Sequence, residues 1–294
     1  MRSVFQYVRP SCLEDAVQFL GKNGAETVIL AGGTDLMLAM RKGDVECKYV
    51  MDVSRLKELK VVSLQGDHLV IGAAVTYTEL VESDLIHAQA PVISAAASCV
   101  GSEQIRNVGT LGGNVGNASP AADSIPGLMV HNARLEIVRR GEFITKPLSE
   151  IIMGPYRTPL IRGDLITKFL IDRLPHPYHA VYQRIGRRRA MAIARINLAA
   201  TARLGPSGAI CDFRMSIGSM TPQPYRALSV ERMVIDKRPD QGLLTEVAAL
   251  TTAGMLKLSG VRSSTEYKKP AAQGLIIKSL SELFGIPINE GESQ

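Results

Sequence analysis

The chain has no tryptophan and only 5% aromatic residues, so its core is predicted to rest on Ala, Val, Leu, Ile and Met. Its four cysteines, Cys12, Cys47, Cys99 and Cys211, are far apart and form no CxxC pair. That argues against zinc or iron–sulfur ligation within the chain and predicts buried free thiols in a reducing compartment. No apolar run reaches the roughly eighteen residues of a membrane helix. The N-terminal MRSVFQYVRP lacks the apolar centre of a signal peptide, so a soluble, cytoplasmic protein is expected, with no membrane partner. The net charge of +6 invites a nucleic-acid reading, but the sharpest basic cluster, Arg184 to Arg189 with Arg195 nearby, lies in an apolar segment with only Tyr182 to stack on a base. Nucleic acid is therefore excluded as a partner. The five histidines, at 68, 87, 131, 176 and 179, show no metal-ligand spacing. No catalytic triad and no paired carboxylates stand out, and no catalytic or metal-binding residue is assigned.

Two stretches stand out against that background. Residues 27–35 read TVILAGGTD, a short apolar strand that runs into Ala31-Gly32-Gly33-Thr34-Asp35. Consecutive backbone N–H groups in such a turn can form an anion-binding nest, and the run LMLAM after Asp35 reads as a helix start. Residues 104–123 read QIRNVGTLGGNVGNASPAAD, rich in Gly and Asn and with almost no helical or strand periodicity. Glycine admits positive φ and close approach of a ligand to the backbone, and Asn, Thr and Ser add short polar groups to the same turns. Neither stretch is a P-loop, since no Gly-Lys-Ser/Thr follows, and neither has the Gly-x-Gly-x-x-Gly spacing of a dinucleotide fold. The residues alone leave open a phosphate or cofactor cradle and a plain glycine-rich connection.

At 294 residues the chain is predicted to divide into subdomains. The first, 1–59, alternates strand and helix: a strand within 3–8, a helix capped by Ser11 and Glu14 and closed at Gly24, and strands at 27–30 and 49–53. The second, 60–175, reads as mixed and antiparallel, with hairpins at 61–72 and 134–147, a strand at 165–171, and helices near 78–82, 91–99 and 124–131. The third, 176–294, follows Pro175-His176-Pro177. It reads as a three-strand meander (180–185, 196–204, 210–218) and then helices at 226–235, 243–258 and 264–283, the last interrupted by Pro270. The Met-containing stretches at 37–40 and 191 are read as core.

AGGTD near residue 30, QIRNVGTLGGN some seventy residues later and NASPAAD directly after it resemble the FAD-binding subunit of molybdenum hydroxylases, the family of xanthine and carbon monoxide dehydrogenases. Further matches are GPYRTPL at 154–160, YQRIGRRRAMAIA at 182–194 and TPQPYRA at 221–227. The resemblance covers essentially the whole chain. It implies an α+β, vanillyl-alcohol-oxidase-like (PCMH-type) fold of two FAD-binding subdomains, followed by a C-terminal domain of three-stranded antiparallel sheet plus helices. It implies that Ala31, Gly32, Gly33, Thr34 and Asp35 wrap the FAD pyrophosphate through backbone N–H groups, with Ile29 and Leu30 before them also cofactor-binding. Thr110, Gly113 and Asn114 would form the other side, with Ile105, Gly112 and Ala118 also cofactor-binding. Asp123 would hold adenosine hydroxyls, and Val100 and Leu165 would be apolar walls. Arg184 stands where relatives usually carry Lys, keeping the charge but not the shape.

The same resemblance implies partner chains carrying 2Fe-2S clusters and molybdopterin. Electrons would pass from those clusters through FAD to NAD or another acceptor, in purine (xanthine) or N-heterocycle hydroxylation. A related branch carries an extra cluster in an inserted cysteine-rich loop, which this sequence lacks. A stand-alone flavin oxidoreductase of the same fold, or a non-enzymatic nucleotide-binding module, are the alternatives that the residues leave open.

Overall fold

Three sheets succeed one another along the chain in a computed structural model that describes residues 5–174, 176–188, 193–260 and 265–287. Residues 3 and 4 of the first expected strand, Pro175, Arg189, Met191 and the expected start of the last helix at Ser264 lie outside the described residues.

The first sheet is parallel, in the order β1-β3-β2, with β1 at Gln6–Val8, β2 at Thr27–Leu30 and β3 at Tyr49–Asp52. Parallel neighbours need crossovers, and α1 (Leu13–Asn23) and α2 (Leu36–Lys42) supply them. Ala16 and Leu20 of α1 pack with Met51, Val53, Leu56 and Leu59. The expected Ser11–Glu14 capping box does not form. Ser11 bonds to Asp15 instead, and the Leu13 N–H donates to Glu58 Oε1 at 2.9 Å, so a side chain distant in sequence takes over the cap. Desolvation pushes Asp52 upward, but hydrogen bonds from Ser54, Tyr7 and Arg9 outweigh it and bring it down to about 2. That carboxylate ties β1 to the end of β3. The Met-containing run of α2 is not core. No residue of α2 is buried, and Met37 and Leu38 are exposed.

The second sheet is antiparallel throughout, in the order β4-β5-β8-β6-β7: β4 Val62–Gln65, β5 His68–Gly72, β6 Arg134–Arg139, β7 Glu142–Pro147 and β8 Leu165–Asp172. Against it lie α3 (Tyr77–Glu82), α4 (Asp84–Gln89), α5 (Pro91–Ser98), α6 (Glu103–Arg106), α7 (Leu111–Asn117), α8 (Ser124–Val130) and α9 (Leu148–Ile151). Thr76 and Glu79 form the capping box that Ser11 and Glu14 do not. The glycine-rich stretch is more helical than its composition suggests. Ser102 caps α6 through the Ile105 N–H, and Thr110 caps α7 through the Gly113 N–H, so side-chain caps and packing override poor propensity.

The third sheet, β12-β11-β10-β9, comprises β9 His179–Gly186, β10 Ala194–Leu204, β11 Ile210–Gly218 and β12 Tyr225–Arg226. The expected meander thus gains a short fourth strand, which pairs Tyr225 with Ile217. Helices α10 (Leu228–Met233), α11 (Gln241–Ser259) and α12 (Thr265–Phe284) cover one face, with α12 running through Pro270. Their core joins Leu198, Phe213 and Met215 to Leu244, Val247 and Ile276.

Helix α8 joins the third sheet to the second unit. At its N-terminal end Asp123 bonds to Tyr182 and Arg184 of β9. At its C-terminal end Arg226 caps the Met129 carbonyl at 2.9 Å and Arg214 the Val130 carbonyl at 3.2 Å. Acid at the start and cations at the end both match the helix dipole. The four cysteines are free, as expected, but half-buried rather than buried.

Candidate functional site

The strand β2 delivers Ala31-Gly32-Gly33-Thr34-Asp35 to the C-terminal edge of the first sheet. None of the backbone N–H groups from Ala31 to Asp35 donates to a backbone carbonyl among the described residues. An unused run of donors is what an anion nest offers. Gly33 takes φ +72°, which favours glycine. A Cβ on Gly32 would lie 2.0 Å from the Val108 carbonyl oxygen, so the first glycine loop is pressed directly onto the second.

The second loop is zipped onto residues 73–77. The Gly112 N–H donates to the Ala73 carbonyl, the Leu111 N–H to Val75, and the Tyr77 N–H returns to Gly109. Gly113 gives its N–H to Thr110 Oγ1 at 3.1 Å and Asn114 to the Thr110 carbonyl. The first-turn amides of α7 are thus committed inside the protein. The Thr110 hydroxyl accepts through oxygen and keeps its hydrogen to donate, so the second loop offers side chains where the first offers backbone.

Between the loops lies a cavity of about 320 Å³. Ala31, Gly32, Gly33, Thr34 and Asp35 line it on one side, and Val100, Ile105, Thr110, Gly113 and Asn114 on the other. A second, more apolar cavity of about 130 Å³ adjoins it, lined by Ile29, Gly112 and Leu165 together with Val53, Leu59 and Ile166. Ala31 and Gly113 belong to both linings. Two chambers with a waist at the glycine loops suit an elongated ligand whose charged middle sits at the waist. A Cβ on Gly113 would meet only Thr110 Oγ1, at 3.0 Å, and would otherwise project into that space. The residues therefore fit a dinucleotide: free N–H donors at the waist, apolar walls at both ends.

Leu30, Ala118, Asp123 and Arg184 line neither chamber. Leu30 packs under Gly33, and Ala118 ends α7 at φ 49°. Asp123 is buried, with Oδ1 accepting from the Tyr182 hydroxyl at 2.7 Å and Oδ2 from Arg184 Nη1 at 3.0 Å. Asn197 reaches the same carboxylate. Desolvation pushes the Asp123 pKa up, while the Tyr182 hydroxyl and the Arg184 guanidinium pull it back. Burial, reinforced by the Asp123 charge, pushes the Tyr182 phenol well above its ordinary value. Sequence reading missed Tyr77, Asn117 and Val45 in the larger chamber, and Tyr182 and Asn197 around Asp123. The sequence places a helix near 78–82, just after Tyr77, and nothing in the spacing marks Tyr77 as a ligand wall.

A family model described as the FAD binding domain in molybdopterin dehydrogenase matches residues 3–174. The chain belongs to this family, the FAD-binding subunits of the molybdenum hydroxylases. A second model, the CO dehydrogenase flavoprotein C-terminal domain, matches residues 181–283. The chain is 29% identical to the glyceraldehyde dehydrogenase medium chain of Sulfolobus acidocaldarius, over 95% of this chain and 98% of that one. It is also 29% identical to the xanthine dehydrogenase FAD-binding subunit of Escherichia coli O157:H7, over 94% of each. A chain of the cyanide-inactivated Cu,Mo-CO dehydrogenase superposes with a TM-score of 0.88 at 23% identity, covering 98% of this chain and 100% of that one. Its fold is that of the two-subdomain, PCMH-type FAD-binding proteins of this family, with the C-terminal flavoprotein domain attached.

Proposed function

We propose that the chain holds FAD across the two chambers and relays electrons between cluster-bearing partner chains and a soluble acceptor, NAD or another. The observation that carries this is the waist. The open N–H run of Ala31 to Asp35 shares the larger chamber with Thr110, and the two linings meet at Ala31 and Gly113. In this reading the N–H groups donate to the pyrophosphate, and Thr110 donates from the opposite side. The smaller chamber, walled by Ile29, Val53 and Leu165, takes the adenine. The larger one, with Val100, Ile105 and Tyr77, takes the flavin ring. When bound, the flavin supplies one-electron and two-electron redox chemistry that no side chain here can provide.

Asp123 has Tyr77 beside it and is bonded to Tyr182, which lies near Cys99 as well. In this reading the Asp123 cluster lies toward the flavin end, and its carboxylate already accepts from Tyr182 and Arg184. We take residues 1–59 and 60–175 as the two FAD-binding subdomains and 176–294 as the C-terminal domain that closes the flavin end. The substrate, for which the resemblance favours a purine or other N-heterocycle, would be oxidised at molybdopterin on a partner chain, with 2Fe-2S clusters on another. The partner face would include Met37 and Leu38 of α2 with Ile105 and Val108, all exposed and carried on the two glycine loops or the elements that flank them.

Titration of the flavin-free chain with FAD and with FMN tests the two-chamber reading. FAD is expected to bind far more tightly, because FMN has no adenosine for the smaller chamber and no diphosphate for the waist. Equal affinities would overturn it.

A further inference from the structure

Asn114 lines the larger chamber, and its amide is not free to choose its orientation. Its Oδ1 accepts a hydrogen bond from Ser124 Oγ at 2.7 Å. Ser124 is fully buried at the start of α8, ten residues along the chain. With Oδ1 committed, the Nδ2 donors are the end of the amide left for a ligand. Behind Ser124 lies Tyr77, 2% exposed, whose ring supports Gly109 and lines the same chamber. Its hydroxyl is buried beside Ser124 without a hydrogen bond of ordinary geometry. Burial, with Asp123 and Asp35 nearby, raises its pKa, and the Ser124 hydroxyl gives its hydrogen to Asn114 Oδ1.

We propose that Ser124 is a positioning residue that locks the Asn114 amide with its NH₂ turned toward the cofactor. The assignment rests on the FAD reading above. It makes the polarity of that wall a property of α8 rather than of the glycine loop. Without the Ser124 hydroxyl the amide can rotate and present its carbonyl oxygen to the acceptor atoms of the dinucleotide, a repulsive pairing. The loss is then transmitted entirely through Asn114.

The test is the FAD dissociation constant, read from flavin fluorescence, for the wild type, Ser124→Ala, Asn114→Ala and the double variant, with the melting temperature of each flavin-free protein alongside. Ser124→Ala is expected to weaken FAD about tenfold, the scale of one hydrogen bond. The double variant is expected to bind no worse than Asn114→Ala alone, since the removed serine has nothing left to orient. Ser124→Thr and Ser124→Val, matched in shape and differing in the hydroxyl, add a comparison in which the threonine variant binds more tightly. Wild-type affinity in Ser124→Ala, losses that multiply in the double variant, or equal binding by the Thr and Val variants would each overturn the role of Ser124. A wild-type chain that takes up no FAD would overturn the underlying cofactor reading as well, and is recognised by the failure of every titration.

Discussion

Gly32 and Gly113 both need to be glycine, for different reasons. At Gly32 a methyl group would strike the Val108 carbonyl oxygen, which is backbone and cannot swing aside. Gly32→Ala is expected to destabilise the chain by about 1–3 kcal/mol, as overpacking does, visible as a lower melting temperature even without cofactor. At Gly113 the added carbon would meet the Thr110 hydroxyl and otherwise enter the waist. Gly113→Val should fold with a smaller loss of stability yet lose its flavin, measured by absorbance after desalting. Full flavin content in Gly113→Val would sink the two-loop cradle. Thr110 caps α7 and, in the proposed function, also donates to the ligand. Thr110→Ala is expected to cost about 1 kcal/mol of stability through the cap and about 1.5–3 kcal/mol of FAD binding through a charge-assisted hydrogen bond. Thr110→Ser should restore most of both, as read by thermal melting and FAD titration.

Among the elements, α8 carries the junction between the second unit and the third sheet. His131, just past its C-terminus, donates from Nδ1 to the Asp172 carbonyl, and its Nε2 is buried without a partner. Burial, with Arg214 and Arg226 close by, pushes its pKa down to about 4. The unfolded chain, with the ordinary value of about 6.5, binds more protons between those limits. Stability should therefore be fully present above about pH 6.5 and fall as the pH drops toward 4, by roughly 3 kcal/mol in total. Urea melts of wild type and His131→Gln at several pH values would show it. The idea fails if the acid slope over that window is the same in both. The His131 contacts could not be read from sequence, because they join groups some forty residues apart. Local signals served much better. Strands β2, β6, β7 and β11 stand where alternation and turns placed them, since each pairs with a near neighbour or carries an unbroken apolar run. The misses have non-local causes: Glu58 takes the cap expected of Ser11, and α7 is held by the Ala73 and Val75 carbonyls. The two glycine loops were legible as motifs, but the cavity between them, the place of Tyr77 and the Asp123 cluster arise only where separate elements meet.

At the scale of the whole molecule, the chain has a ligand-shaped space but little else with which to do chemistry. Among the described residues no group of three or more His, Cys, Asp or Glu side chains could hold a metal ion. The chain spans nearly the full length of the medium chains and FAD subunits it resembles. The apolar face of α2 lies open beside the cradle, with Met37 and Leu38 exposed. The proposed function divides the activity between a flavin half-reaction in this chain and a hydroxylation on partner chains. Loaded with FAD, the isolated chain should carry electrons from NADH to an artificial dye, because that transfer needs only the flavin and access to it. The same preparation should oxidise neither xanthine nor an N-heterocycle until iron–sulfur and molybdenum chains are added. Leu38→Asp sharpens the test, since Leu38 lines neither chamber. It should leave FAD affinity and dye reduction as they are, yet prevent co-elution with the cluster-bearing chain and abolish the reconstituted hydroxylation. Substrate hydroxylation by the metal-free chain would make it a stand-alone flavoenzyme, and normal assembly of Leu38→Asp would move the partner face away from α2.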